Sequence, residues 1–204
     1  MGMKAEYEKI LSRYIPEPSV GLICEWIIQR GIHLTITKER STKLGDFRPS
    51  EKTRGHKISV NHNLNPYAFL LTLVHEIAHL ETWNTYKNKV KPHGREWKTA
   101  FIGLMQPFLH ELIFPAEVLH EIRKYLNNPA ASSCSDHNLS IALRRFDTEP
   151  ALFLEELPEG AVFKIGSGRV FKKGEKRRKH FHCLEMNSAR AYLISPAAEV
   201  TLIT

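Results

Sequence analysis

The segment that follows Asn65 restricts the fold of this chain more than any other part of the sequence. Asn65 and Pro66 form a helix start, because an Asn side chain accepts hydrogen bonds from the first turn and Pro needs no donor there. The apolar residues beyond them recur at helical spacing and predict a helix from Pro66 to about Trp83. One side of this helix is apolar and consists of Leu70, Leu73, Ile77 and Leu80. We expect that side to pack into the core and another side to carry a functional site.

The predicted helix contains the pattern His-Glu-x-x-His at residues 75–79. The spacing places His75 and His79 about 40° apart on one face of the helix, so that both imidazoles can reach one metal ion. Glu76 lies about 100° round from His75, where its carboxylate can touch a water on the metal without becoming a ligand. Neutral imidazole nitrogens are zinc ligands, and a carboxylate can take the proton of that water. The pattern therefore predicts a Zn²⁺ ion held by His75 and His79, with Glu76 as the catalytic base.

A catalytic zinc needs a third protein ligand and one open coordination position. The metzincin pattern requires Gly at position 82 and His at position 85, and this chain has Thr at both, which excludes that class. We favour His93, which lies fourteen residues beyond His79 at the start of the next predicted helix. Gly94 directly behind it would permit a close approach of the two helices. Glu81 and Glu96 remain the alternative third ligands.

The sequence resembles the SprT-like family of zinc metallopeptidases. The resemblance rests on His-Glu-x-x-His at 75–79 and His-Gly-x-Glu-Trp at 93–97, and it covers roughly Ser19 to Ile113. It implies a minimal zincin-type α+β domain in which the three histidines hold zinc and Glu76 is the general base. It also implies protein substrates that are associated with DNA.

The chain is expected to divide into a metallopeptidase domain at 1–127 and, at 128–204, a linker followed by a small β-rich appendage. The small polar residues of 127–136 are typical of a linker. In the first domain the patterns predict helices at 20–27, 93–109 and 116–126 and extended stretches at 33–37 and 56–61. We expect the two extended stretches to pair as antiparallel strands, and 56–61 to offer an edge to an extended substrate. Short β-type runs follow in the appendage, at 161–165, 169–171, 179–184, 191–194 and 200–203.

Positive charge is concentrated in the appendage. Residues 164–182 include eight Lys or Arg and one acidic residue, in a chain whose net charge is +7. We predict an exposed basic hairpin that contacts nucleic-acid phosphates, with a solvated hairpin that binds nothing as the alternative. The candidate contacts are Lys172, Lys173, Lys176, Arg177, Arg178 and Lys179. The neighbouring Phe171 and Phe181 are expected to be buried.

The cysteines argue against a disulfide framework, because they are odd in number, widely spaced and free of any Cys-x-x-Cys pattern: Cys24, Cys134 and Cys183. Such usage is typical of a reducing cytoplasm. Many SprT-like proteins continue into a zinc ribbon with paired cysteines, whereas this chain has only Cys134 and Cys183 downstream, with His137, His180 and His182 as candidate partners. Strand alternation points Cys183 away from the last two histidines. We therefore expect one zinc per chain and Cys183 in a core.

The sequence contains no apolar run close to the roughly 20 residues that cross a bilayer. Residues 1–10 carry charges where a secretory signal would be apolar, so we expect a cytoplasmic protein without a membrane partner. The function predicted is hydrolysis of peptide bonds, in proteins bound to DNA. The alternatives are a nucleic-acid-binding regulatory protein with a structural zinc and a zinc hydrolase of small amides. Glu76 favours an enzyme, since a structural zinc site has no use for a carboxylate there.

Overall fold

The computed structural model describes residues 2–40, 42–50, 55–131, 136–148 and 152–203. These residues belong to two compact units, Met1–Phe146 and Asp147–Thr204, and each unit has its own hydrophobic core. Helices and sheets are both present, and the protein is α+β as predicted.

The first unit combines helices with one small sheet. Its helices are α1 (Met3–Leu11), α2 (Glu17–Gln29), α3 (Pro66–Tyr86), α4 (Arg95–Met105), α5 (Ala116–Tyr125) and α6 (His137–Arg144), and its strands are β1 (Ile32–Thr37), β2 (Gly45–Arg48) and β3 (His56–Asn61). Apolar periodicity predicted α2 to α5, whereas α1, α6 and β2 were not predicted. In the described part of the chain, no helix has both the length and the apolar character that a membrane span requires.

Helix α3 is the centre of the first unit. Asn65 begins it as predicted, because its Oδ1 accepts hydrogen bonds from the N–H groups of Tyr67 at 3.1 Å and Ala68 at 3.0 Å. The Nδ2 atom of Asn65 also donates to the carbonyl oxygen of Leu143 at 2.8 Å. The four apolar residues of the predicted core side are fully buried: Leu70, Leu73, Ile77 and Leu80. The helix packs against α4, β2 and β3, which fixes its polar side next to the sheet edge.

The sheet of the first unit has the strand order β1–β3–β2. Strands β1 and β3 are parallel, with Ile32 opposite His56, so the predicted antiparallel pairing was wrong. The reason is β2, which runs antiparallel to β3 with Gly45 opposite Val60 and reverses the chain between the two predicted strands. Because β3 is the central strand, its edge is not available to a substrate. The edge strands of this sheet are β1 and β2, and β2 is the one that packs against α3.

Helix α6 belongs to the first unit. Its apolar residues Leu139, Ala142 and Leu143 join the core of that unit, and Asp136 begins the helix by accepting a hydrogen bond from the N–H of Leu139 at 3.0 Å. The polar composition of 127–136 placed the domain division near 127–128, whereas the compact units divide at Phe146. A linker-like composition therefore precedes a helix that completes the first core.

The second unit is a six-stranded antiparallel sheet, in agreement with the predicted β-rich appendage. Its strands are β4 (Leu152–Phe153), β5 (Val162–Lys164), β6 (Val170–Arg177), β7 (His180–Glu185), β8 (Ala191–Ile194) and β9 (Glu199–Leu202). Their order is β4–β9–β5–β6–β7–β8, so the last strand of the chain lies between the first two strands of the unit. The core under this sheet includes Phe163, Phe171 and Cys183.

Candidate metal centre

Three histidines converge on one point in the first unit. His75 and His79 lie one turn apart on α3, and His93 lies in the turn that precedes α4. The Nε2 atoms are separated by 3.2 Å between His75 and His79, 2.9 Å between His79 and His93, and 3.2 Å between His75 and His93. Among the described residues, these three form the group of His, Cys, Asp or Glu side chains that is arranged to hold a metal ion.

The donor set of this cluster fits zinc. Zinc–nitrogen bonds of about 2.0–2.1 Å in a tetrahedral site place two ligating nitrogens about 3.3–3.4 Å apart, close to the separations observed. Hydrogen bonds alone cannot explain the cluster, because the Nε2 atom of a neutral imidazole is either a donor or an acceptor. With three atoms and two roles, one of the three contacts always joins two donors or two acceptors. A cation at the centre removes that conflict.

The surroundings keep the three imidazoles neutral. Burial, together with the neighbouring His79 and His93, lowers the pKa of His75 to about 3. Burial and the neighbouring His93 lower the pKa of His79 to about 4, and burial lowers the pKa of His93. At neutral pH the rings carry no extra proton, so their nitrogen lone pairs are available to a metal.

A tight turn brings His93 back to α3. His93 has a left-handed backbone conformation with φ of 56°, which His adopts more readily than most residues do. The N–H of Gly94 donates to the carbonyl oxygen of Lys91 at 3.0 Å and closes the turn. A Cβ atom on Gly94 would lie 2.9 Å from that same oxygen. Gly94 is therefore needed for the close approach within this turn, whereas we had expected it to serve helix packing.

The indole ring of Trp97 packs against the rings of all three histidines. Its ring centroid lies 4.6 Å from that of His75, 5.4 Å from that of His79 and 4.7 Å from that of His93. The indole is fully buried, its Nε1 atom donates to the carbonyl oxygen of His75 at 3.4 Å, and Phe101 stacks on it at 5.1 Å. A rigid aromatic floor of this kind restricts the orientation of the imidazole rings.

Glu76 lies beside the histidine cluster and is 7% exposed. Burial, with the nearby carboxylate of Asp46, raises the pKa of Glu76 to about 8, although Arg40 and the N–H of Phe47, which donates to the carboxylate, act in the opposite direction. Asp46 itself is held by Lys43 at 2.8 Å and Arg48 at 2.7 Å. A carboxyl group with a pKa near neutrality can both take and return a proton.

Strand β2 lies directly against the carboxylate of Glu76. The sequence patterns did not predict this role of the strand. A Cβ atom on Gly45 would lie 2.5 Å from Oε1 of Glu76, so only glycine leaves room for the carboxylate. Gly45 and Glu76 line a cavity of about 170 Å³, and Phe47 lines a second cavity, of about 210 Å³, beside His79 and His93. The strand thus extends between two cavities that flank the cluster. The signal in the sequence was a lone glycine in a polar segment.

The two alternative third ligands lie apart from the histidine cluster. Glu81 accepts a hydrogen bond from Arg30 at 2.5 Å, and Glu96 lies in the first turn of α4. Both line a third cavity, to which none of the three histidines contributes. The geometry therefore supports His93 over either carboxylate.

Comparison with protein families identifies the first unit. The model of the SprT-like family matches residues 24–122 of the chain. This unit carries a SprT-like domain. The matched residues extend from α2 to α5 and include all three histidines, Glu76 and Gly45. The SprT-like family is associated with zinc and with a zincin-like metallopeptidase fold. No curated protein and no solved structure matches the chain.

The predicted basic hairpin lies outside the SprT-like domain, in β6 and β7. Five of its six basic side chains are exposed: Lys172, Lys176, Arg177, Arg178 and Lys179. The sixth was predicted wrongly. Lys173 is only 5% exposed, donates to the carbonyl oxygens of Leu157 at 2.5 Å and Glu155 at 3.3 Å, and lies 3.9 Å above the ring of Phe181. Because Lys173 is paired with Cys183 across the strands, it faces the core and not the solvent.

The structure describes only part of the candidate second zinc site. Cys183 is a fully buried free thiol in the core of the second unit, as predicted, and Cys24 is likewise buried in the SprT-like domain. On β7, His180 is exposed and His182 half-buried, while Cys183 faces the core between strands β6 and β8. Cys134 lies outside the described residues. Within the residues described, no second metal-binding group occurs.

Proposed function

We propose that the SprT-like domain is a zinc-dependent peptidase that hydrolyses peptide bonds in proteins. The observation that carries the proposal is the combination of three converging, neutral imidazoles with the buried carboxyl group of Glu76 beside them. A structural zinc site uses all of its positions for protein ligands. A cluster of three histidines leaves one position for water or substrate, as catalytic sites do.

The proposed mechanism uses Glu76 as the proton carrier. Zinc, when bound, supplies Lewis acidity that polarises a carbonyl group and lowers the pKa of water. Glu76 takes the proton of the attacking water at a carboxylate oxygen and later returns it to the nitrogen of the leaving amine. The N–H of Phe47 holds the carboxylate, and Gly45 allows it to lie against β2 without a clash. Trp97 keeps the histidine rings oriented throughout.

An extended polypeptide suits this site better than a small amide does. Strand β2 is an edge strand, so a substrate segment can add to it through backbone hydrogen bonds. The cavities near Gly45 and Phe47, which are two residues apart on the strand, can receive side chains of the same segment. These features favour peptide substrates over the small-amide alternative.

The proposal extends to protein substrates that are bound to DNA. Five exposed basic side chains on β6 and on the turn between β6 and β7 are suited to phosphate contacts without sequence readout. The same feature would serve the alternative function, a nucleic-acid-binding regulator with weak or no peptidase activity. We propose the cytoplasm as the location, because the buried Cys24 and Cys183 are free thiols that a reducing compartment would preserve.

The test measures bound zinc and peptide hydrolysis in parallel, on the full chain and on single variants. Zinc is measured by atomic spectroscopy, and hydrolysis on a basic DNA-binding protein with and without duplex DNA. His93→Ala removes a proposed ligand, Glu76→Gln removes the proton carrier, and Glu96→Gln is the matched control, because it alters a carboxylate outside the cluster.

We expect His93→Ala to lose most of its zinc and its activity. Glu76→Gln should keep zinc and lose hydrolysis, while Glu96→Gln keeps both. Full zinc occupancy in His93→Ala would overturn the ligand assignment. Normal hydrolysis by Glu76→Gln would overturn the mechanism, and zinc binding without hydrolysis of any protein by the native chain would favour the regulatory alternative.

A further inference from the structure

We infer that the cavity beside His75 and Glu76 selects substrates by a medium-sized apolar side chain on the residue that follows the cleaved bond. The inference rests on the proposed peptidase function and deepens it, because it names the substrate feature that the site recognises. The cavity has a volume of about 170 Å³ and opens beside the histidine cluster.

The three most deeply buried residues of the cavity lining carry apolar or aromatic side chains. Leu71, Phe101 and Tyr125 contribute to its lining and are 2%, 0% and 4% exposed. Phe101 is fixed by its stacking on Trp97, and the hydroxyl group of Tyr125 donates to the carbonyl oxygen of Ala130 at 2.8 Å. Because the hydroxyl of Tyr125 has this partner, its ring can face an apolar ligand without leaving a polar atom unsatisfied.

The volume restricts which side chains can fill the cavity. An apolar cavity of about 150 Å³ in another protein holds a molecule of benzene, so about 170 Å³ is suited to a Leu, Met or Phe side chain. An Ala side chain would leave most of the space unfilled and forfeit the burial of apolar surface. The bulkier indole of Trp would require the lining to move.

Charge excludes a second class of side chains. Among the described residues that line the cavity, Glu76 is the one carboxylate, and it is committed to the reaction. Lys43 contributes to the same lining. A Lys or Arg side chain of the substrate would therefore find no free carboxylate partner and would meet a like charge.

The position of the side chain relative to the cleaved bond follows from Glu76. In the proposed mechanism Glu76 returns its proton to the leaving amine, whose nitrogen is the backbone nitrogen of the residue after the cleaved bond. Since Glu76 lines the cavity, the side chain of that residue is the one closest to its opening.

The test uses a set of fluorogenic peptides that differ only at the residue after the cleaved bond, which is Leu, Phe, Ala, Lys or Glu. For the zinc-loaded full chain we expect kcat/KM to be about tenfold or more higher for Leu and Phe than for Ala, the range that a few buried methylene groups give, and lower still for Lys. Binding of the same peptides to the Glu76→Gln protein, which is expected not to hydrolyse them, should follow the same order.

Two variants assign the preference to the cavity. Leu71→Ala enlarges it and should move the preference from Leu toward the larger Phe. Thr42→Trp is made at an exposed residue of the lining, where folding is not at risk, and should reduce the Leu-to-Ala ratio toward one by obstructing the cavity. Leu112→Ala, at a residue that is 80% exposed and not part of the lining, is the matched control and should leave the ratio unchanged.

The outcomes separate this inference from the proposed function. Cleavage of all five peptides at similar rates, or a Leu-to-Ala ratio unchanged in both cavity variants, overturns the inference and leaves the peptidase function standing. Failure to cleave any peptide or protein overturns the proposed function itself.

Discussion

Gly45 and Glu76 are packed so closely that one methyl group would separate them. A Cβ atom at position 45 would lie 2.5 Å from Oε1 and 2.8 Å from Cγ of Glu76. Both sides are constrained, since Gly45 is part of β2 and Glu76 is part of the buried helix α3. The relative position of this pair therefore depends on the absence of a side chain.

We predict that Gly45→Ala lowers kcat by about 100-fold, because a displacement near 1 Å of a catalytic group has an effect of that order. Bound zinc should stay at the native level, since no histidine is touched. The measurement is kcat on a peptide substrate, together with zinc content by atomic spectroscopy.

Gly103→Ala is the matched control. A Cβ atom on Gly103 would meet no atom within 4 Å, and this residue lies inside α4, where Ala stabilises a helix by about 1 kcal/mol relative to Gly. This control should keep full activity. Native kcat in Gly45→Ala would show that the carboxylate has another position from which it can act.

At the scale of elements, the segment that enters β2 is held by one arginine. Arg40 donates from Nε to Oδ1 of Asn61 at 2.8 Å and from one terminal nitrogen to the hydroxyl of Ser59 at 3.0 Å. Asn61 returns two hydrogen bonds, to the carbonyl oxygens of Arg40 at 3.1 Å and Lys43 at 3.0 Å. These bonds tie the approach to β2 onto the central strand β3.

We predict that Arg40→Ala lowers the free energy of unfolding by about 2 kcal/mol, the usual contribution of hydrogen bonds from a charged donor. Amide hydrogen exchange at residues 43–46 should become faster, because the segment loses its connection to β3. Urea unfolding and exchange mass spectrometry measure the two effects. Arg40→Lys should recover only part of the stability, since an ammonium group lacks the planar fork of a guanidinium. If amide hydrogen exchange at residues 43–46 were unchanged in Arg40→Ala, Arg40 would not be the residue that holds this segment.

The elements differ in how well the sequence predicted them. Helix α3 was predicted well, because the Asn-Pro start and a long apolar side are local signals. The direction of β1 relative to β3 was not, since alternation of apolar residues is the same in parallel and antiparallel strands. Strand β2 was missed because Gly45–Arg48 has the composition of a loop and gains its structure from pairing with β3. Helix α6 was missed because a run of small polar residues precedes it.

The candidate site shows the same division between local and distant signals. The spacing of His75, Glu76 and His79 is a property of one helix and could be predicted from sequence. The preference for His93 over Glu81 and Glu96 came from its place at the start of the next predicted helix. The turn that brings it to the cluster depends on a left-handed residue, which no periodicity reveals. Gly45 reaches the site through strand pairing and Arg40 through side-chain contacts with β3, so neither could be assigned from the sequence.

At the scale of the whole molecule, the chain joins a SprT-like domain to a second unit with a basic surface. The five candidate basic side chains other than the buried Lys173 are exposed. Among them, Arg177 forms an ion pair with Glu175 at 2.8 Å. We refer to Lys176, Arg177, Arg178 and Lys179 as the basic tip. Its charges belong to the second unit, whereas the metal centre belongs to the first.

We predict that replacing the four residues of the basic tip with Ser weakens binding to duplex DNA and flattens its salt dependence. Each phosphate contact contributes about 0.9 to the slope of log affinity against log salt, so four contacts contribute roughly −3.6. Salt titrations of the native and altered proteins measure the difference. Hydrolysis of a short peptide should be unaffected.

The matched control changes the net charge by the same amount as the basic-tip variant, but in the first unit. It removes four exposed basic side chains there: Lys4, Lys9, Arg13 and Arg123. The salt-dependence slope of this control should differ from the native slope by no more than about 0.9, the contribution of one phosphate contact. Equal slopes in the native chain and in the basic-tip variant would mean that the tip is a solvated surface and that the proposed DNA-bound substrate is not recruited through it.

The aromatic floor under the histidines gives the metal centre a fluorescent reporter of its own. Trp97 lies within 5.4 Å, centroid to centroid, of every ring in the cluster, whereas Trp26 packs on Phe108 and Trp83 lines the second cavity. Zinc has a filled d shell and absorbs no indole emission. Co²⁺ in its place has d–d transitions and should quench Trp97 strongly. The difference in tryptophan fluorescence between the native protein and Trp97→Phe would then report metal exchange in solution, without any added dye.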